Sequence, residues 1–163
     1  TQARYMEVIH RKTAKLFEAA TQMGLVLANR PELEEAFIAY GRHLGAAFQL
    51  IDDALDYTAD AEELGKNIGD DLAEGKPTLP LIYVLENGTE DEKDIIRRAI
   101  ETEGIALLSE VTDIIKHSGA IDFTIETAQN EAEKAKQALT KLEASEIKKA
   151  LVSLADLAVN RSH

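Results

Sequence analysis

An all-α helical bundle is the fold this sequence predicts, and three observations predict it. Runs rich in Ala, Leu, Glu and Lys, all strong helix formers, dominate the chain. Aromatic residues make up only 5% and Trp is absent, which leaves a sheet little to pack with. Apolar residues recur every three or four positions instead of alternating, which is the helical period. The 163 residues suit one ordinary domain, and 45% hydrophobic residues with only 3 Pro and 9 Gly describe a globular chain.

The first segment, Tyr5 to Ala28, places Met6, Ile9, Thr13, Leu16, Ala20 and Met23 at spacings of three and four, with Arg11, Lys12, Lys15 and Glu18 beside that stripe. It predicts one helix ending near Asn29. Pro31 suits the first turn of a second helix, in which Leu33, Phe37, Tyr40, Leu44, Phe48, Ile51 and Leu55 keep the period over about 27 residues. From Thr58 to Pro80 the period fails, and Gly65, Gly69, Gly75, Pro77 and Pro80 punctuate a polar loop whose length marks it as functional. Leu81–Glu86, Thr89–Glu103, Ile105–His117, Ile121–Leu142 and Ser145–Val159 then read as helices, parted by Asn87-Gly88, Gly104, Ser118-Gly119 and a short turn. The alternating charges of Glu126 to Lys141 read as a solvated helix face. His10, His43, His117 and His163 are scattered and read as structural or surface residues.

Several function classes drop out. With no Cys, the chain has no disulfides, thiolate zinc sites or cysteine nucleophiles, and a reducing, cytoplasmic setting is the expectation. A formal charge of −12 disfavours nucleic acid and anionic membranes, and favours metal cations as guests. No apolar run approaches the ~20 residues of a membrane span, so no integral membrane segment is expected. Thr1 opens directly onto helical pattern without a cap, and the reading is that the N-terminus is a cut end.

The chemistry concentrates between Asp52 and Lys76, where nine carboxylates and two lysines give a net charge of −7. Asp60, Glu62, Glu63 and Glu74 read as solvated. Asp52 and Asp56 stack on one helix face with Gln49, and Asp53 lies about 100° around the axis. These aspartates follow the apolar run from Ala46 to Ile51, so they meet a cavity and not open water, and their mutual repulsion calls for something positive. A hard cation answers. Magnesium is typically held by one or two carboxylates while water and phosphate complete its shell, which points to a phosphorylated ligand. An EF-hand starting at Asp56 fails at Ala61 and Asn67, and a Walker-type loop fails because five residues part Gly69 from Gly75 and Pro77 follows Lys76. Lys12 and Thr13 on the first helix, with Lys66 and Lys76 in the loop, are the anion-binding half of the inventory.

Three ordered stretches carry a resemblance. They are Tyr5-Met6-Glu7-Val8-Ile9 with Lys12-Thr13-Ala14-Lys15-Leu16-Phe17-Glu18-Ala19-Ala20; Gly45-Ala46-Ala47-Phe48-Gln49-Leu50-Ile51-Asp52-Asp53-Ala54-Leu55-Asp56-Tyr57; and Leu64-Gly65-Lys66-Asn67-Ile68-Gly69-Asp70-Asp71-Leu72-Ala73-Glu74-Gly75-Lys76-Pro77-Thr78-Leu79-Pro80-Leu81. In that succession the sequence resembles the trans-polyprenyl diphosphate synthases, the octaprenyl-forming bacterial ones most of all. The similarity runs more weakly to Arg161 and so covers essentially the whole chain.

The resemblance implies an all-α bundle of the isoprenoid (terpenoid) synthase type around a deep cavity. There an allylic prenyl diphosphate ionises and is extended by isopentenyl diphosphate, with Mg2+ as cofactor. It implies Asp52, Asp53 and Asp56 as the second aspartate-rich motif, Asp52 foremost as direct ligand, and Asp71 as a carboxylate holding a metal-bound water. Lys12 and Thr13 match the pair that holds the allylic diphosphate, Gln49 and Lys66 match its other polar contacts, and Lys76 sits in a matching motif. The family's earlier aspartate-rich motif and paired arginines find no match, so residues 1–163 are expected to be the C-terminal part of a single synthase domain, inactive alone. The intact enzyme is expected to be a homo-oligomer, a dimer. Two alternatives stand beside this reading: a noncatalytic subunit of the same fold that pairs with a catalytic chain, and a shorter-chain farnesyl or geranylgeranyl diphosphate synthase. A terpene cyclase fits the Gly65 to Pro80 loop less well. The missing N-terminal helices are expected to leave Met6, Ile9, Leu16, Phe37, Leu44 and Phe48 uncovered.

Overall fold

The computed structural model describes residues 1–58 and 69–161, and every regular element among them is helical. Helix α1 covers Gln2–Ile9, a π-helical turn follows at His10–Ala14, and α2 covers Lys15–Ala28. A 3₁₀ turn at Pro31–Leu33 leads into α3, Glu34–Thr58. The short α4, Asp70–Ala73, precedes α5 (Leu79–Asn87) and α6 (Glu90–Arg98). A second π turn at Ala99–Glu103 and a 3₁₀ turn at Gly104–Leu107 lead to α7 (Leu108–Ser118), α8 (Ala120–Ala138) and α9 (Glu146–Val159).

The first segment corrects the sequence reading. It is not one uninterrupted α-helix, because the amide of Lys15 donates to the carbonyl of His10, five residues back, and so inserts one extra residue into the turn. The helix face shifts accordingly. Buried positions run Tyr5, Ile9, Ala14, Glu18 and Leu25, while Leu16 and Met23, expected on the core stripe, are 74% and 62% exposed. Glu18, expected beside the stripe, lies on the buried face and pairs with Lys15 at 2.5 Å and Arg42 at 3.4 Å. Asn29, in the left-handed conformation that its short polar side chain tolerates, stops α2 (φ 51°).

Other boundaries move for local reasons. The second helix is α-helical only from Glu34 and runs 25 residues, since Pro31 opens a 3₁₀ turn. Helix α5 begins at Leu79 and not at Leu81, because a proline in the first turn gives up an amide that has no helical partner there anyway. Part of the expected loop from Thr58 to Pro80 lies outside the described residues, and Asp70–Ala73 is helical. Thr89 caps α6 in a reciprocal box with Glu92. Gly119, at φ 81°, ends α7 in the backbone region that only glycine adopts without strain. Helix α8 stops at Ala138 instead of Leu142, and Ser145 caps α9 by accepting from the amide of Lys148.

The chain packs as two units. One comprises Thr1–Tyr5 and the described residues of Asp52–Ile125, and its core gathers Tyr57, Leu72, Leu81, Val84, Ile96, Val111 and Ile115 from α3 to α7. The other comprises Met6–Ile51 and the described residues of Glu126–Ser162, with Tyr40, Leu44, Ala135, Leu139, Ala155 and Ala158 at its centre. In this second unit the Tyr40 hydroxyl donates to the carbonyl of Leu151 at 2.8 Å, giving a buried phenol its partner. Ile9 and Leu44, expected to be uncovered, are buried; Met6, Phe37 and Phe48 are half-buried, and only Leu16 of that group is exposed. The expected solvated face of α8 also has an exception. Glu131 is 5% exposed and bonds His43 and Lys134, each at 2.7 Å.

Candidate functional site

In the first unit, the last two turns of α3 place Asp52 and Asp56, four residues apart, on one helix face, both half-buried. Asp53 points elsewhere: it is 2% exposed and accepts a 2.5 Å hydrogen bond from the Tyr5 hydroxyl of α1. Gly69 donates its amide to the Asp56 carbonyl at 3.0 Å, and the Asp71 amide donates to Asp56 Oδ2 at 3.2 Å. Lys76 Nζ bridges Asp71 at 2.9 Å and Glu74 at 2.7 Å, bonds to carboxylates that raise its pKa, Glu74 foremost.

Within this cluster the Asp56 carboxyl is the one set apart by its surroundings. Burial first, and then the charges of Asp71 and Asp70, push the Asp56 carboxyl up to about 6, against the pull of the amides it accepts from. Tyr5 is raised by burial and then by the charges of Asp53, Asp71 and Asp52, so the fields of three aspartates reach one phenol. Among the described residues no three acidic or histidine side chains form a ready-made metal cage. The donor set nevertheless suits a hard divalent cation that takes one or two carboxylates and completes its shell with water and phosphate.

In the second unit, the π turn His10–Ala14 carries Lys12 and Thr13. Lys12 is exposed, and the Thr13 hydroxyl donates to Gln49 Oε1 of α3 at 2.8 Å. That approach requires small residues. Gly41, Gly45 and Gln49 fall four apart on one face of α3, and a Cβ at Gly45 would lie 2.6 Å from Ala14 Cα, the residue after Thr13. At Gly41 it would meet the Phe17 carbonyl oxygen at 2.7 Å and Glu18 Cα at 2.8 Å. Arg161 reinforces the same stretch: it stacks over the Phe48 ring at 3.8 Å, donates to the Phe48 carbonyl at 2.9 Å, and Phe48 in turn packs on Phe17.

The structure thus groups Asp52, Asp53, Asp56, Asp71 and Lys76 in one unit, and Lys12, Thr13 and Gln49 in the other. Lys66 lies outside the described residues, as do Asp60, Glu62 and Glu63. Sequence reasoning missed the hydrogen bond of Tyr5 and the close approaches at Gly41 and Gly45. The two glycines had a visible signal in their spacing of four from each other and from Gln49, whereas Tyr5 had only a phenol that, once buried, needs a partner.

Comparisons with known proteins agree with one another. The sequence model of the family described as Polyprenyl synthetase matches residues 1–117. All-trans-nonaprenyl-diphosphate synthase (geranyl-diphosphate specific) of Rhodobacter capsulatus is 50% identical over 157 residues, covering 96% of this chain and 48% of that protein. Octaprenyl diphosphate synthase of Escherichia coli (strain K12) is 50% identical over 163 residues, covering 99% and 50%. The crystal structure of a polyprenyl synthase from Caulobacter crescentus CB15, complexed with calcium and isoprenyl diphosphate, superposes with a TM-score of 0.92 at 44% identity, over 99% of this chain and 50% of that one. The chain therefore spans about half the length of the curated relatives it matches.

Proposed function

Since this chain belongs to the polyprenyl synthetase family and has its all-α, terpenoid-synthase-type fold, we propose that it is the C-terminal part of a trans-prenyltransferase domain. The reaction is condensation of isopentenyl diphosphate with an allylic prenyl diphosphate, releasing inorganic diphosphate and giving a long-chain, octaprenyl-class product. The observation that carries this reading is the Asp52 and Asp56 face, two half-buried carboxylates four residues apart on α3, with the Asp71 amide donating to Asp56 Oδ2 at 3.2 Å. The 50% identity to synthases of nonaprenyl and octaprenyl diphosphate supports the long product.

In this reading Asp52 and Asp56 are the carboxylates that hold Mg2+, with Asp53 and Asp71 supporting them. Bound there, the metal supplies electrostatic stabilisation of a departing diphosphate. Lys12 adds a point charge to the allylic diphosphate, and Lys66 a second. Thr13 fixes Gln49 by taking its amide oxygen, so that the dipole is set before substrate arrives and costs no reorganisation as the allylic C–O bond breaks. Lys76, tied to Asp71 and Glu74, orients α4, the short helix that carries Asp71. We place the reaction in the cytoplasm; among the described residues no helix is long and apolar enough to cross a membrane. The working assembly in this reading is a homodimer.

The test is radiolabelled chain elongation with isopentenyl and farnesyl diphosphates and Mg2+. The full-length polypeptide carrying this chain should form long-chain product, whereas the 163 residues alone should form none, since they span half the length of the relatives. A full-length protein that incorporates no label would refute the reading, and elongation by the 163 residues alone would refute the assignment of an incomplete site.

A further inference from the structure

We propose that Tyr5 is a positioning residue for the aspartate face of α3, acting through Asp53; the inference rests on the functional reading above. Tyr5 sits on α1, 48 residues before Asp53, yet its hydroxyl reaches Asp53 Oδ2 at 2.5 Å with both side chains buried, at 7% and 2% exposure. A hydrogen bond to a buried carboxylate is charge-assisted and directional, and it arises between elements far apart in sequence. A phenol carries it on a rigid ring with few torsions to order. A phenol keeps its proton at neutral pH, so its hydroxyl is available as the donor to Asp53.

The consequence lies in helix geometry. Asp53 is adjacent to Asp52 and three residues before Asp56, so fixing where the Asp53 carboxylate points fixes the rotation of the turn that aims both neighbours. Asp53, 2% exposed and engaged by Tyr5, is placed to anchor this turn, whereas Asp52 and Asp56, half-buried on another face, are placed to meet a cation. Groups standing behind metal ligands in this way typically change metal affinity 10–100-fold when removed.

The experiment uses the full-length polypeptide and measures Mg2+ binding by calorimetry in the presence of inorganic diphosphate, alongside the melting temperature without metal. Tyr5→Phe keeps the ring and removes only the donor. It should weaken Mg2+ binding roughly 10-fold or more and raise the Mg2+ needed for half-maximal elongation by a similar factor, while the metal-free melting temperature falls by only a few degrees. Asp53→Asn should also weaken Mg2+ binding about 10-fold, and the double variant should be no worse than the poorer single one, since both remove one interaction. If Tyr5→Phe melts much lower than expected, Asp53→Asn decides by itself, and wild-type Mg2+ affinity in that variant overturns the proposal. Wild-type affinity in Tyr5→Phe, or strictly additive losses in the double variant, also overturns it while leaving the functional reading intact. A wild-type protein that takes up no Mg2+ with diphosphate overturns both.

Discussion

Asp52→Ala in the full-length polypeptide is expected to lower turnover by at least ~100-fold, or about 2.7 kcal/mol of transition-state stabilisation. The size follows from what the residue does in this account. Asp52 is half-buried on the same face as Asp56, so its loss removes half of a two-carboxylate foothold for the cation that stabilises the leaving diphosphate. The deficit should be largest at low Mg2+ and shrink as Mg2+ rises, because mass action compensates for weaker binding but not for lost geometry. Steady-state kinetics across a Mg2+ series check this. Unchanged kinetics at low Mg2+ would contradict the role of Asp52.

Gly45→Val is expected to harm both stability and activity. The new side chain would begin 2.6 Å from Ala14 Cα and 3.0 Å from Phe17 Cδ2, and a backbone atom cannot step aside as a flexible side chain can. Overpacking of this kind costs about 1–3 kcal/mol, which for a chain of this size lowers the melting temperature by roughly 2–4 °C per kcal/mol. The Thr13 to Gln49 contact, 2.8 Å in this fold, spans the same two backbones and should lengthen as they part. Gly24→Ala is the control. Gly24 lies within α2 with nothing inside 4 Å of the added Cβ, so the substitution should be neutral or stabilising by about 0.5–1 kcal/mol. Thermal melts of both variants beside the wild type give the comparison, and equal melting temperatures would refute the close-packing argument.

Much of the fold was legible in the sequence because helices announce themselves by period, and the face shared by Asp52 and Asp56 follows from their spacing alone. What escaped reading has specific causes. The segment His10-Arg11-Lys12-Thr13-Ala14 contains nothing that breaks a helix, so the π turn, set by how the segment packs, left no trace in propensity; yet its one extra residue moved Leu16 and Met23 from the core face to solvent. Pro80 reads as loop from the sequence because proline usually is, although the first turn of a helix accepts it. The alternating charges around Glu131 read as a solvated face, and the packing of α3 near α8 supplies the half-buried His43 as its partner. The bond from Tyr5 to Asp53 joins residues 48 apart and leaves no local pattern.

The central claim is that the α3 aspartates hold a divalent cation that serves a diphosphate. Crystals of the full-length polypeptide grown with Mn2+ and inorganic diphosphate, measured at the manganese absorption edge, test it most directly. The account predicts an anomalous peak at bonding distance from the carboxylate of Asp52 or Asp56, with diphosphate oxygens completing the shell and Asp53 still held by Tyr5. Manganese bound elsewhere, with both carboxylates free of it, would contradict the account.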